Sequence, residues 1–129
     1  MIVRYLLTAI LLALVVSPAD AKHYRTYDRG TVVGGRPSGC PYQFCGCSAS
    51  LHLFGRVIPE LNLASNWMRK FPRTSPAPGM AAVRSHHVMV LLEHKYGNVW
   101  LVHDGNSGGH LTRVHERDIS SYVVVSPHA

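Results

Sequence analysis

The stretch "MAAVRSHHVMVLLEHKYGNVWLVH", residues 80–103, decides the fold class. It holds three short runs, "MAAVR", "HVMVLLE" and "NVWLVH", each rich in valine and leucine. Short aliphatic runs bounded by turn residues read as strands rather than helices. The second and third run form a hairpin across "HKYGN". A three-residue loop, Lys95 to Gly97, puts glycine where a left-handed backbone is needed. That register pairs His94 with Asn98 and sets His103 opposite Met89. Strand side chains alternate with period two, so His87 and His103 then share a face as diagonal neighbours. A one-residue slip would put them on opposite faces.

Downstream, "HLTRVH" (110–115) and "YVVV" (122–125) continue the strand pattern, giving about five strands. Upstream, "PRTSPAPGM" (72–80) is a proline-rich loop. Before it the period changes to helical. In "LNLASNWMRKF" (61–71), Leu61, Ala64, Met68 and Phe71 share one face, and Glu60 or Asn62 is placed to cap the start. From Cys45 onward, Cys47, Leu51 and Phe54 fall on one face of another helix, which Gly55 ends. Trp67 and Trp100 are assigned to the core. Helices first and strands second predict an α+β fold, with the helices packed on an antiparallel sheet or half-barrel of about five strands. Residues 22–39, polar and glycine-rich, read as an extended lead-in with one short strand around Thr31 to Val33.

The first residues are read apart from that domain. "MIVRYLLTAILLALVVSPADA" (1–21) has a basic start, an apolar run from Tyr5 to Val16 and a small-x-small ending at Ala21. This is the pattern of a secretory signal peptide, and the run is short for a bilayer span, which needs about 20 residues. A periplasmic or secreted protein without stable membrane insertion is therefore expected. The chain has 129 residues and a net charge of +6. A basic exported protein adheres to anionic polymers. Its basic residues are scattered, with no run beyond Arg69-Lys70, so no nucleic-acid partner is assigned. Glycines 105, 108 and 109 lie in "GNSGG" with no helix behind them, so no nucleotide site is assigned either.

The three cysteines, Cys40, Cys45 and Cys47, are an odd number. Outside the cytosol two can pair, which leaves a thiol in need of a use. Cys45 opens a helix, where backbone N–H groups favour a thiolate and can stabilise an oxyanion. A thiol, an imidazole and a third polar group that orients the imidazole make a thiol hydrolase.

"FCGC" at a helix start, then "PAPGMAAVRSHHVMVLLEH", then "GNVWLVHDGNSGG" resembles, in order and spacing, the NlpC-like and CHAP cysteine peptidases and amidases of bacterial cell walls. It is most similar to short exported alphaproteobacterial members. The resemblance spans roughly residues 36 to 126 and frames a hydrolase domain at 40–127, of papain-like type. It implies that Cys45 is the nucleophile and His87, directly before Val88, the general base. It implies a third residue at His103, which ends the next strand, or at Asn106 just beyond it. Either would fix the imidazole tautomer. The implied substrate is an amide bond in peptidoglycan peptides, cut by a monomer without cofactor or metal. Met89, where many relatives carry glycine, departs from the pattern. So do Cys40 and Cys47, which are read either as a disulfide across Cys45 or as free small hydrophobes. His86 is read as a surface or packing residue, and His52 as a surface residue bordering the cleft.

Two other functions compete. One is a non-catalytic wall-binding protein on the same fold, which has no need of an activated Cys45. The other is a zinc site of Cys40, Cys45, Cys47 and a histidine, whose spacing matches zinc pairs poorly.

Overall fold

The computed structural model describes residues 30–129; the segment 1–21, read above as a signal peptide, and most of the lead-in lie outside the described residues. Two helices lie against an antiparallel sheet, so the fold is α+β. Helix α1 spans Cys45–Phe54 and α2 spans Ala64–Lys70, with a 3-10 turn at Pro59–Asn62 between them. The strands are β1 Thr31–Gly34, β2 Ala81–Arg84, β3 His87–Tyr96, β4 Val99–Asp104, β5 Thr112–Asp118 and β6 Val123–Val125. The sheet order is β1-β5-β4-β3-β2-β6. There are thus six strands rather than five, because β1 of the lead-in adds itself to β5 as an edge.

Each face of the sheet carries its own apolar layer. Val88 and Val90 of β3, with Ala81 and Val83 of β2, pack under Cys45, Ala49, Leu61, Ala64 and Trp67 from the helical side. Met89 and Leu91 point the other way, to Trp100, Val102, Ile119 and Val124. Both tryptophans are buried, as expected of core residues. Burying such side chains stabilises by about 1.5–3 kcal/mol each.

Helix α1 ends as predicted. Gly55 takes the left-handed conformation at φ 71° and its N–H bonds to the Leu51 carbonyl. The second helix is shorter than its pattern suggests. Leu63 is extended, at φ −88° and ψ 114°, and separates the 3-10 turn from α2. No side chain caps α2, so neither Glu60 nor Asn62 has that role. Glu60 instead pairs with Lys70 at the far end of α2.

The hairpin between β3 and β4 differs from the expected one. Its turn is the two residues Gly97 and Asn98, since Tyr96 pairs with Val99. Gly97 carries the positive φ, 49°. Irregularities between Leu91 and Glu93, and between His94 and Tyr96, then take up two residues of β3. The outcome is a one-residue slip: His103 opposes Val90, not Met89. Period-two alternation therefore turns His103 to the helical face and Asp104 to the face of Met89 and His87.

Candidate active site

Cys45 is the first residue of α1 and is 6% exposed. Its neighbour must be glycine. A Cβ at Gly46 would lie 2.1 Å from the Leu61 carbonyl oxygen and 2.9 Å from that of Asn62, so the 3-10 turn passes too close for any side chain. The first six residues of α1, from Cys45 to Ser50, are buried throughout. Gly105, just after β4, meets α1 in the same way, with a Cβ there falling 2.4 Å from that of Ser48. These two approaches fix how the Cys45 end of α1 sits between the 3-10 turn and the end of β4.

Cys40 and Cys47 form a disulfide, with Cα atoms 5.7 Å apart, and Cys45 is the free thiol between them. Two of the three sulfurs in the zinc alternative are therefore bonded to each other. Among the described residues, no group of three or more His, Cys, Asp or Glu side chains is arranged to hold a metal. The disulfide pins the residues before Cys45 to the first turn of its helix, which leaves the thiol little freedom.

His87 opens β3 beside the thiol. Its Nε2 lies 2.5 Å from Oδ1 of Asp104, which closes β4. With Nε2 so engaged, Nδ1 is the nitrogen left for Cys45. Asp104 is fully buried. Its second oxygen, Oδ2, meets His115 Nε2 at 2.7 Å and accepts from Arg117 Nη1 at 3.2 Å. Arg117 in turn donates to the Tyr122 hydroxyl at 3.3 Å. The charge is thus enclosed by three basic side chains, as a buried carboxylate must be.

The group on His87 is therefore Asp104, where His103 or Asn106 was expected. The one-residue slip accounts for the first. His103 faces the helices and stacks on His52, with ring centroids 4.3 Å apart. Asn106 lies beyond the strand and donates instead to Gln43 Oε1, at 3.0 Å. His115 and Arg117 were also missed, although both alternate onto the Asp104 face of β5. The available signal was the period-two pattern of "RVHERD", which the expected register made uninformative.

The electrostatics follow from this enclosure. Burial alone would push the Cys45 thiol up. The hydrogen bond and positive charge of His87, with N–H groups of Val88 and Gly46, outweigh it and hold the thiol below its ordinary value. Burial alone would lower His87, but Asp104 and the thiolate lift it from 6.5 to about 9. Burial likewise opposes charge on Asp104, yet His115, His87 and Arg117 draw it down to about 2. All three shifts favour a thiolate–imidazolium pair backed by a carboxylate. His103, by contrast, is pushed down to about 4 by burial and by His52, and is neutral.

A cleft of about 400 Å3 opens beside Cys45, walled by Gln43, Asn62, Leu63, Ser85 and His86. His86 is exposed, as expected, and its carbonyl lies 3.8 Å from the thiol sulfur. The arrangement can attack an electrophilic carbon with a thiolate, donate a proton from His87 to a leaving group and take one back. No protein-family model, no curated protein and no solved structure matches this chain.

Proposed function

We propose that the protein is an exported cysteine hydrolase of NlpC-like or CHAP type, on a papain-like fold, that cuts amide bonds in cell-wall peptides. The observation that carries the chemistry is the line Cys45, His87, Asp104, in which a half-buried His87 is held through Nε2 by the fully buried Asp104. The Cys45 thiolate attacks the carbonyl carbon, forming a C–S bond while the C=O pair moves to oxygen. Collapse of that intermediate breaks the C–N bond, and the His87 imidazolium gives its proton to the departing nitrogen. A thioester on Cys45 and a free amine result. His87, now neutral, takes a proton from water as the water attacks the thioester. The acid departs and the thiolate–imidazolium pair is restored.

The sequence of residues 1–21 supports export, and so does the Cys40–Cys47 disulfide, a bond of oxidising compartments. The substrate rests on the family resemblance and agrees with the net positive charge of the chain. A wall-binding protein without catalysis would have no use for a half-buried imidazole charged by a buried carboxylate next to a thiol.

The test is release of new amino groups from purified peptidoglycan by the protein and by its Cys45→Ala variant, with melting temperatures compared. Release by the former alone supports the proposal. Release by both, or by neither, overturns it.

A further inference from the structure

Among the described residues, the large hydrophobic side chains left exposed are Val32, Val33, Tyr42, Leu63 and Tyr96, and of these Leu63 walls the Cys45 cleft. A single exposed leucine is ordinary on a protein surface. This one stands on a wall built to hold it. Leu63 is the extended residue between the 3-10 turn and α2, and it is 55% exposed while Leu61 and Ala64 are buried. Its carbonyl accepts from the Asn66 N–H at 3.0 Å. The Leu61 carbonyl accepts from Trp67 Nε1 at 2.9 Å, and the Glu60 carbonyl from Asn66 Nδ2 at 2.7 Å. From the other side, Gly46 of α1 packs against the Leu61 and Asn62 carbonyls. The leucine is thus presented to the cleft by backbone that is held on both sides.

The walls of this cleft offer no fixed charge. Gln43, Asn62, Leu63, Ala64 and Ser85 are neutral, and His86 is an imidazole. The charged residues beside these walls in sequence are engaged elsewhere. Glu60 pairs with Lys70, and the Arg84 guanidinium lies over the Tyr122 ring, 4.7 Å from its centroid. A carboxylate or ammonium entering the cleft gives up water and meets no counter-ion on its walls, which is unfavourable. An apolar side chain gains by covering Leu63.

The cleft also has a direction. His87 is not among its walls. His87 gives its proton to the leaving nitrogen, so the amine departs on the His87 side and the acyl residue is the part that stays in the cleft.

We propose that the Cys45 cleft seats the acyl residue of the substrate, that this residue has an uncharged, apolar side chain such as that of alanine or leucine, and that Leu63 is the residue that selects it. The inference rests on the hydrolase reading and narrows it. The bond cut follows a neutral residue, and residues with a carboxylate or ammonium group in the side chain are poor acyl donors.

The experiment uses the full chain and N-acetyl amino acid p-nitrophenyl esters of alanine, leucine, glutamate and lysine, each in both hands. The thiolate adds to the ester carbonyl, oxygen takes the electron pair, and collapse expels p-nitrophenolate to leave a thioester that water hydrolyses. Each kcat/KM is divided by the rate of the same ester with free cysteine, which removes differences in intrinsic reactivity. The native protein is expected to prefer the alanine or leucine ester to the glutamate and lysine esters of the same hand by at least about tenfold. Leu63→Lys should lower the leucine-to-glutamate ratio at least about tenfold, and Leu63→Glu should lower the leucine-to-lysine ratio as much. Iodoacetamide alkylation of Cys45 should stay within about threefold in both variants, because that reaction does not use the acyl subsite.

Native rates that are equal, or that favour a charged acyl residue, overturn the proposal. Ratios that move in neither variant remove Leu63 as the selecting residue. So does an equal fall in alkylation and acylation, which would mark Leu63 as structural. A native protein that iodoacetamide alkylates but that no ester acylates overturns the hydrolase reading itself, which separates the two failures.

Discussion

Replacing Asp104 by asparagine changes one charge in a fully buried side chain and almost nothing in its shape. In the native protein His87 rises from 6.5 to about 9, a lift worth roughly 3 kcal/mol at 1.36 kcal/mol per pH unit. Burial works against the lift, and Asp104 and the Cys45 thiolate share in producing it. If Asp104 supplies half, its loss removes about 1.5 kcal/mol, a tenfold fall in the ratio of ion pair to neutral pair. The introduced amide would still accept from His87, but its NH2 group would face the N–H donors of Arg117, which costs a further ~1.5–3 kcal/mol of stability. We expect the apparent pKa of Cys45 in Asp104→Asn, measured by iodoacetamide alkylation against pH, to rise by about one unit. The rate on the acid side of the native Cys45 transition should fall about tenfold. NMR titration should show His87 losing its proton near pH 8 rather than about 9. Stability measured by urea unfolding accompanies the titration, so that a folding defect is seen as such. If the variant is folded and the Cys45 profile does not move, Asp104 is a structural anion and the triad argument fails.

Further outcomes follow from the same geometry. Alkylation of the native protein should modify one cysteine, Cys45, with Cys40 and Cys47 protected until reduction. Replacing Cys40 and Cys47 together by serine should cost ~2–3 kcal/mol in urea unfolding, from the short loop they close. Gly46→Ala should lower stability by ~2 kcal/mol or more, roughly 10 °C in melting temperature, because its Cβ would meet backbone oxygens that cannot swing aside. His103 is neutral down to about 4 in the folded chain, whereas the unfolded chain takes its proton at 6.5. The unfolded state then binds more protons between these values, so stability falls as pH drops from 6.5 to 4, by ~1–2 kcal/mol after discounting for its partial exposure. His103→Gln should flatten this limb, and an unaltered slope would refute the assignment.

Much of the fold was legible. The residues of α1, its glycine stop and the five strand runs after residue 80 follow from hydrophobic period and turn chemistry. Cys45 and His87 were paired through the family resemblance, and the structure brings the two side chains together. The cysteine pairing was read as one of two alternatives, and the structure contains the disulfide. The group on His87 was not legible. A three-residue turn and a two-residue turn with two irregularities suit "HKYGN" about equally well from sequence, and they differ by one residue in register. The helix cap failed for a similar reason. Glu60 and Asn62 were positioned for it, but the extended backbone at Leu63 took them out of reach of the α2 start. Asn106 was singled out as a candidate partner of His87, yet its side chain meets Gln43, which lies 63 positions earlier in the chain, and no local pattern joins them.

The hairpin also bears on how such a site can change over time. His103 and Asp104 are adjacent, and the irregular pairing of β3 decides which of them shares a face with His87. A single residue gained or lost in β3 between His87 and Val90, with the pairing beyond it kept, would turn His87 to the face of His103 and exchange an anionic partner for a neutral imidazole without substituting either residue. A one-residue gap within β3 in an alignment would then change the group that meets His87. Comparisons of this chain with its descendants should therefore be aligned by the pairing of β3 with β4, because column identity at position 104 does not by itself say which side chain holds His87.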